Sequence, residues 1–258
     1  MNGSTITLSV ITITKNEEEM IGECLLSIQD LADEIIVVDT GNTDKTNEIA
    51  KSFGARIVKS KDLDYAGFRN TGLKEALGNW VLYVDADERV TPLLKREIKE
   101  IVKKKEAFAF QIPRRNIFLG REMHYGGWGD DKVIRLFPKK LLHKYQGELH
   151  EQPVFDHELH TTNHELIHYS HRDLSSMLDK TLEFTDYEAR LRQAANHPPV
   201  VWWRIFRVMA TEFWLRFVRL QAWRDGPEGI IDGLFQVYNS FVIYARLWEL
   251  QNEKGLHI

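Results

Sequence analysis

A chain of 258 residues, 43% hydrophobic and 28% charged, has ordinary globular composition and the length for one large domain or a domain with a sizeable appendage. Its formal net charge of -4 gives no global drive towards nucleic acid, so any basic surface must be local. A single cysteine, Cys24, rules out an intramolecular disulfide framework; no positively charged leader precedes the first apolar run, and no stretch reaches the roughly 18 apolar residues of a membrane span, so a cytoplasmic protein is expected, with attachment to a membrane surface left open.

Leu8 to Thr14 is β-branched and apolar, a strand by propensity, and the polar Lys15-Asn16-Glu17 leads into a helical pattern with Met20, Ile21, Cys24, Leu25 and Ile28 on one face. A second strand, Glu34 to Asp39, ends in an aspartate and passes through Thr40-Gly41-Asn42-Thr43-Asp44 into a helix over Lys45 to Phe53, closed by Gly54. A short strand at Ala55 to Lys59 and a helix over Tyr65 to Ala76 follow. Next comes the apolar run Trp80-Val81-Leu82-Tyr83-Val84, which ends abruptly in Asp85-Ala86-Asp87-Glu88. Strands alternating with helices predict an α/β fold with a right-handed, doubly wound, mostly parallel sheet. After Pro92 a further helix runs to Lys105, a strand covers Phe108 to Ile112, and mixed β structure extends to Tyr169. Helical spacing returns over Leu174 to Arg192, 200–223 and 229–250, with Asp225-Gly226-Pro227 as the turn between the last two. The division that follows is a catalytic-type domain over 1–172, in halves 1–91 and 92–172, and a helical region over 173–258.

Three strand ends converge on one edge of such a sheet, where open α/β sheets bind ligands. Thr14, Asn16, Glu17, Asp39, Asp44 and the Asp85/Asp87 pair are therefore placed to line one crevice. Two aspartates one residue apart repel each other unless a cation lies between them, and a hard divalent metal that also holds phosphates suits that geometry; a solvated acidic turn is the plain alternative. Neither of the first two loops carries a Gly-x-Gly-x-x-Gly or Walker pattern, which argues against a dinucleotide dehydrogenase or a P-loop enzyme. Asp39-Thr40-Gly41 imitates an aspartic-protease signature, but one copy in a parallel α/β setting makes no dyad. Asp85-Ala86-Asp87 imitates a haloacid-type phosphatase, but Arg89 stands where those enzymes want Thr or Val.

Leu8 to Glu17, Ile36 to Thr46, Phe68-Arg69-Asn70 and Trp80 to Glu88 resemble, in order and spacing, the successive motifs of family 2 glycosyltransferases. Trp128-Gly129-Asp130-Asp131, Arg135-Leu136-Phe137, His150-Glu151, Ile167-His168-Tyr169-Ser170 and Asp225-Gly226-Pro227-Glu228-Gly229 extend the resemblance, towards the lipopolysaccharide-core β-1,4-glucosyltransferase-like branch, over nearly the whole chain. The resemblance implies a GT-A fold and inverting transfer from a nucleotide sugar, with Mg²⁺ or Mn²⁺. It implies that Asp39 faces the nucleobase and that Thr14, Asn16 and Glu17 surround the nucleoside, with Asp44 and Asn70 on the same donor side. It further implies that Asp85 approaches the ribose or the metal and that Asp87 binds the metal, with His168 a further candidate ligand. Arg69 is the cation placed near the phosphates, against the plain reading of a helix-surface arginine.

Inversion needs one base, on the opposite side of the anomeric carbon from the leaving group. Glu151 is the first candidate and Asp131 the second, a surface or structural carboxylate being the alternative for each. Seven histidines between His143 and His171 tempt a zinc reading, but no cysteine pair accompanies them and their spacings match no closed site. Trp202, Trp203, Phe206, Met209, Phe213, Trp214, Phe217, Leu220 and Trp223 alternate with Arg204, Arg207, Arg216, Arg219 and Arg224, opposed only by Glu212. Such a basic, Trp-rich helix suits an anionic membrane interface; packing against the next helix, or against another subunit in a homo-oligomer, is the alternative.

The combined reading is a metal-dependent inverting hexosyltransferase at the cytoplasmic face of the inner membrane, with no role for nucleic acid. It moves glucose from UDP-glucose to a lipopolysaccharide or lipooligosaccharide core sugar, a glycolipid or saccharide acceptor. A family 2 transferase acting on a polyprenyl lipid, a capsule or a polypeptide is the enzymatic rival. A nucleotide-sugar-binding or membrane-peripheral protein without turnover is the rival of another class.

Overall fold

The computed structural model describes residues 7–104, 107–147, 151–171 and 173–252. They fall into two compact units, one comprising residues up to Arg115 with Asp131–His168, the other Asn116–Asp130 with the residues from Tyr169 onwards.

In the first unit β1 (Leu8–Thr14), β2 (Glu34–Asp39), β3 (Arg56–Lys59) and β4 (Trp80–Tyr83) lie in the order β3-β2-β1-β4, all parallel. They are joined by α1 (Ile21–Ile28), α2 (Thr46–Ser52) and α3 (Tyr65–Glu75), and α4 (Pro92–Lys104) follows. These strands read as continuous apolar runs because both sheet faces are covered. Val10, Val37, Leu82 and Val84 pack with α1 and α4, whereas their neighbours Ile11, Ile36, Val38, Val81 and Tyr83 pack with α3, so successive residues of one strand serve opposite layers. Gly72 lets α3 approach β1 closely, since a Cβ there would overlap the Ile11 side chain.

Downstream come β5 (Glu88–Val90), β6 (Ala109–Phe118), β7 (Arg121–Glu122), β8 (Lys132–Pro138), β9 (Leu142–Gln146), β10 (Gln152–Phe155), β11 (Leu159–Thr161) and β12 (Leu166–His171). β8 pairs antiparallel with both β4 and β6, so the parallel sheet continues as a mixed one. β6 runs well beyond the Ile112 end expected from the sequence. β5 is a strand that the sequence pattern did not separate from the acidic turn; its antiparallel pairing with β12 sets His168 opposite Glu88.

The second unit packs α5 (Leu174–Ala194), α6 (Trp202–Phe213) and α7 (Gly226–Asn252) around Ala189, Val200, Ile243, Tyr244 and Leu247. One continuous helix is expected over 200–223, and the structure corrects this. α6 ends at Phe213, a π-helical turn covers Trp214–Arg219, and Gln221 is left-handed with φ 52°. The break brings buried Asp225 to the Trp128 loop, where its carboxylate accepts hydrogen bonds from the N–H groups of His124 (2.9 Å) and Tyr125 (2.7 Å). Trp128 Nε1 donates to Asp232 at 2.9 Å, and Arg216 donates to the Gly126 carbonyl at 2.7 Å. Asp225-Gly226-Pro227 is therefore an anchor as well as a turn. Asn116–Asp130, placed by the sequence reading in the catalytic-type domain 1–172, groups with the helices in one compact unit. Among the described residues no helix is long and apolar enough to cross a membrane.

Candidate active site

The loops that follow β1 and β2 are knitted to each other. Asn16 takes a left-handed conformation (φ 57°) that Asn tolerates, donates from its N–H to Asn42 Oδ1 at 2.8 Å, and accepts the Thr43 N–H at 2.7 Å. The Glu17 N–H donates to Thr46 Oγ1, and Asp44 accepts from the Glu18 and Thr46 N–H groups. Buried Thr14 donates to the Val38 carbonyl and accepts from Asn42 Nδ2. Asp39, buried at the end of β2, accepts from the N–H groups of Gly41 (2.8 Å) and Asn42 (2.7 Å) and from Asn47 Nδ2 (2.9 Å). Burial alone would raise its carboxyl; these hydrogen bonds outweigh burial and hold it below the ordinary carboxylate range. Thr14, Asn16, Glu17, Asp39 and Asp44 are thus brought together as a single cross-linked rim. Asn70 is spent differently, donating to and accepting from the backbone of Tyr145 at 2.9 and 2.7 Å.

The turn after β4 is threaded by alternating charges. Arg69 Nε donates to Glu151 at 2.8 Å, and its two terminal nitrogens reach the oxygens of Asp85 at 3.3 and 3.4 Å. Asp85 is also bound by Arg135, which continues to Glu88 at 3.4 Å. Arg114 links Glu88 (3.4 Å) to Asp131, gripping the latter with two bonds of 2.8 and 3.0 Å. The chain therefore reads Glu151, Arg69, Asp85, Arg135, Glu88, Arg114, Asp131, with the two candidate bases at its ends. Arg69 is buried on α3, between the rings of Tyr83 and Tyr145 at 5.4 Å from each, which replaces the surface alternative with a fixed cation. Glu88 is fully buried, and its second oxygen accepts the Asp85 N–H. Burial raises the Asp85 carboxyl, but Arg135 and Arg69 overcome that and hold it well below the usual range.

Three participants carried no assigned role in the sequence: Glu88, Arg114 and Arg135. The signal for them is the demand of the turn itself, because carboxylates this close at a buried strand end require cations in comparable number. A fourth is Tyr145, buried beside Arg69, whose hydroxyl has no hydrogen-bond partner among the described residues.

Asp87 Oδ2 lies 3.6 Å from His168 Nε2. Carboxylate and imidazole form a two-ligand pair able to accept a divalent ion, whereas Asp85 is engaged by two arginines; among the described residues no three His, Cys, Asp or Glu side chains gather as a metal cage. The remaining histidines are dispersed. His143 meets Asp156 at 2.8 Å, His164 meets Glu97 at 2.7 Å, and His160 stacks on Phe108. His150 lies outside the described residues.

Residues 9–157 match the family model described as Glycosyl transferase family 2. An uncharacterized glycosyltransferase of Rickettsia bellii is 28% identical over 94% of this chain and 86% of its own length. The lipopolysaccharide core biosynthesis glycosyltransferase LpsC of Rhizobium meliloti is 23% identical over 94% of this chain and 92% of its own. Among solved structures, glucosyl-3-phosphoglycerate synthase from Mycobacterium tuberculosis, in complex with Mg²⁺ and uridine diphosphate, matches with a TM-score of 0.41 at 21% identity, covering 53% of this chain and 58% of that one.

Proposed function

We propose, from the premise that the chain belongs to glycosyl transferase family 2, that it moves glucose from UDP-glucose, with inversion, to a lipopolysaccharide or lipooligosaccharide core sugar at the cytoplasmic face of the inner membrane. The observation that carries this reading is the run Glu151–Arg69–Asp85–Arg135 at the end of the central strand. It sets a carboxylate suited to take a proton one guanidinium away from the place where a diphosphate would leave. The acceptor class is supported by the lipopolysaccharide core assignment of the LpsC relative.

In this reading Glu151 takes the proton of the acceptor hydroxyl as its oxygen bonds to the anomeric carbon. The bond from that carbon to the diphosphate oxygen breaks, and the electron pair departs with UDP. Arg69 and Arg135, already fixed by Asp85, oppose the growing charge without reorganising. The Asp39 rim offers acceptors for a uracil N3–H. Asp87 and His168 would hold Mg²⁺ or Mn²⁺, and their mixed oxygen and nitrogen donors suit Mn²⁺ better than the oxygen-seeking Mg²⁺. When bound, such an ion supplies charge neutralisation at the diphosphate.

The Tyr145 hydroxyl is sealed from solvent without a hydrogen-bond partner among the described residues. Tyr145→Phe is therefore expected to leave KM for the nucleotide sugar within about twofold and to stabilise the fold by about 1 kcal/mol, since an unsatisfied buried hydroxyl is removed while the ring beside Arg69 is kept; initial rates at varied donor concentration and urea unfolding check this. The reaction itself is tested by UDP release from a panel of nucleotide sugars with a core oligosaccharide acceptor, in Mn²⁺, in Mg²⁺ and in chelator. Release from UDP-glucose that depends on acceptor and is strongest in Mn²⁺ is expected. Tight nucleotide-sugar binding with no release from any donor would turn the reading into a binding protein without turnover.

A further inference from the structure

We propose that the outward face of α6 docks the helical unit onto an anionic lipid surface; this deepens the membrane-face location given under the proposed function, while the chemistry of sugar transfer does not depend on it. α6 turns Ile205 and Val208 towards the core of its unit. Its opposite face carries Trp202, Phe206 and Phe213, which are 74%, 66% and 48% exposed. At about 100° per residue these three fall within an arc of about 40°, so they form an apolar stripe facing solvent on a helix already packed on its other side. Trp203 and Trp214 widen the exposed strip. Single exposed apolar residues need no explanation, but a continuous aromatic stripe does.

Charge selects the partner. Between Val200 and Arg224 the chain carries five arginines, one glutamate and no lysine, although the whole molecule is net negative at -4. Arg216 is paired with Glu212 at 2.7 Å. Arg204 and Arg207 lie over the Trp203 ring, at 5.0 and 5.5 Å from its centroid. Arg207 and Arg219 are exposed and form no ion pair with the described residues. Indole rings with guanidinium groups beside them suit the headgroup layer of a bilayer, where the ring lies among the lipid glycerols and the cation meets phosphate. A second copy of this chain would also cover the stripe, but a two-fold contact would set these unpaired arginines near their own kind.

The test mixes the full chain with phosphatidylcholine vesicles prepared with and without phosphatidylglycerol and follows co-sedimentation at low and high salt. The parent is expected to sediment with the anionic vesicles at low salt, to be released at high salt, and to ignore the neutral ones. Arg207→Gln combined with Arg219→Gln should weaken partition about thirtyfold, on the order of fivefold per charge. Trp202→Ser combined with Phe206→Ser should abolish it; all four positions are exposed, so the core is untouched. The proposal is overturned by a parent that stays unbound at low salt, by an arginine variant that partitions like the parent, or by a dimer that the Trp202/Phe206 variant dissolves without any vesicle binding. UDP release measured without vesicles reports on sugar transfer separately, so either proposal can fail alone.

Discussion

Glu151→Gln is expected to lower sugar transfer by about 10³-fold while leaving UDP binding within about twofold, because a general base contributes on the order of 10²–10⁴ and the amide cannot take a proton. The substitution is nearly isosteric, and its carbonyl oxygen still accepts the 2.8 Å hydrogen bond from Arg69 Nε, so the guanidinium keeps its place between Tyr83 and Tyr145. Geometry separates this residue from Asp131. Arg114 engages both oxygens of Asp131, at 2.8 and 3.0 Å, whereas Glu151 gives one oxygen to Arg69 and carries no further hydrogen bond from the described residues. A carboxylate held at both oxygens by a guanidinium is a poor proton acceptor, so Asp131→Asn should cost no more than about tenfold in kcat. Single-turnover transfer together with equilibrium UDP binding decides the matter. Near-normal turnover in Glu151→Gln would remove the role from Glu151, and a larger loss in Asp131→Asn would move it to the other end of the charge chain.

A feature is legible in the sequence when its cause is local. The ends of β1, β2 and β4 announce themselves because an apolar run stopping at Asn16, Asp39 or Asp85 needs no distant partner to be recognised. The sequence marks Arg69 as a cation near the site but does not disclose its burial between two tyrosines, since Tyr145 arrives from β9. Arg135 and Arg114 are 47 and 26 residues from the Glu88 they bind, and a sequence holding 34 basic side chains does not say which of them will answer a given carboxylate. His168 reaches Asp87 only because β12 pairs with β5, a three-residue strand hidden inside an acidic motif. The kink after Phe213 is the opposite case. Leu, Arg, Phe and Val carry no local stop signal for a helix, and the departure follows from where Asp225 must go to hold the Trp128 loop. Local propensity was overridden there by a tertiary demand written elsewhere in the chain.

Asp85→Asn is expected to destabilise the protein by about 3–5 kcal/mol at neutral pH, because it strips the shared carboxylate from two buried guanidinium groups at once. Arg69 would keep Glu151, and Arg135 would keep Glu88 at 3.4 Å, so each retains one partner while the middle of the alternating chain loses its charge. The asparagine oxygen still accepts one hydrogen bond, which places Asn near the lower end of that range; Asp85→Leu, which accepts none, belongs at the upper end. The pH dependence has a definite sign. Arg135 and Arg69 hold the folded Asp85 carboxyl well below the value of about 3.9 that it takes in an unfolded chain, so its contribution is fully present above about pH 5 and is lost as pH falls through the unfolded value towards the folded one. The gap in stability between parent and Asp85→Asn should therefore be widest at neutral pH and shrink below about pH 4. Urea unfolding midpoints for the two proteins, taken at steps from neutral to acidic pH, measure that gap. A gap that stays constant as the pH falls would mean that the Asp85 charge does not hold the two arginines in place, and the charge chain would then lose its central member.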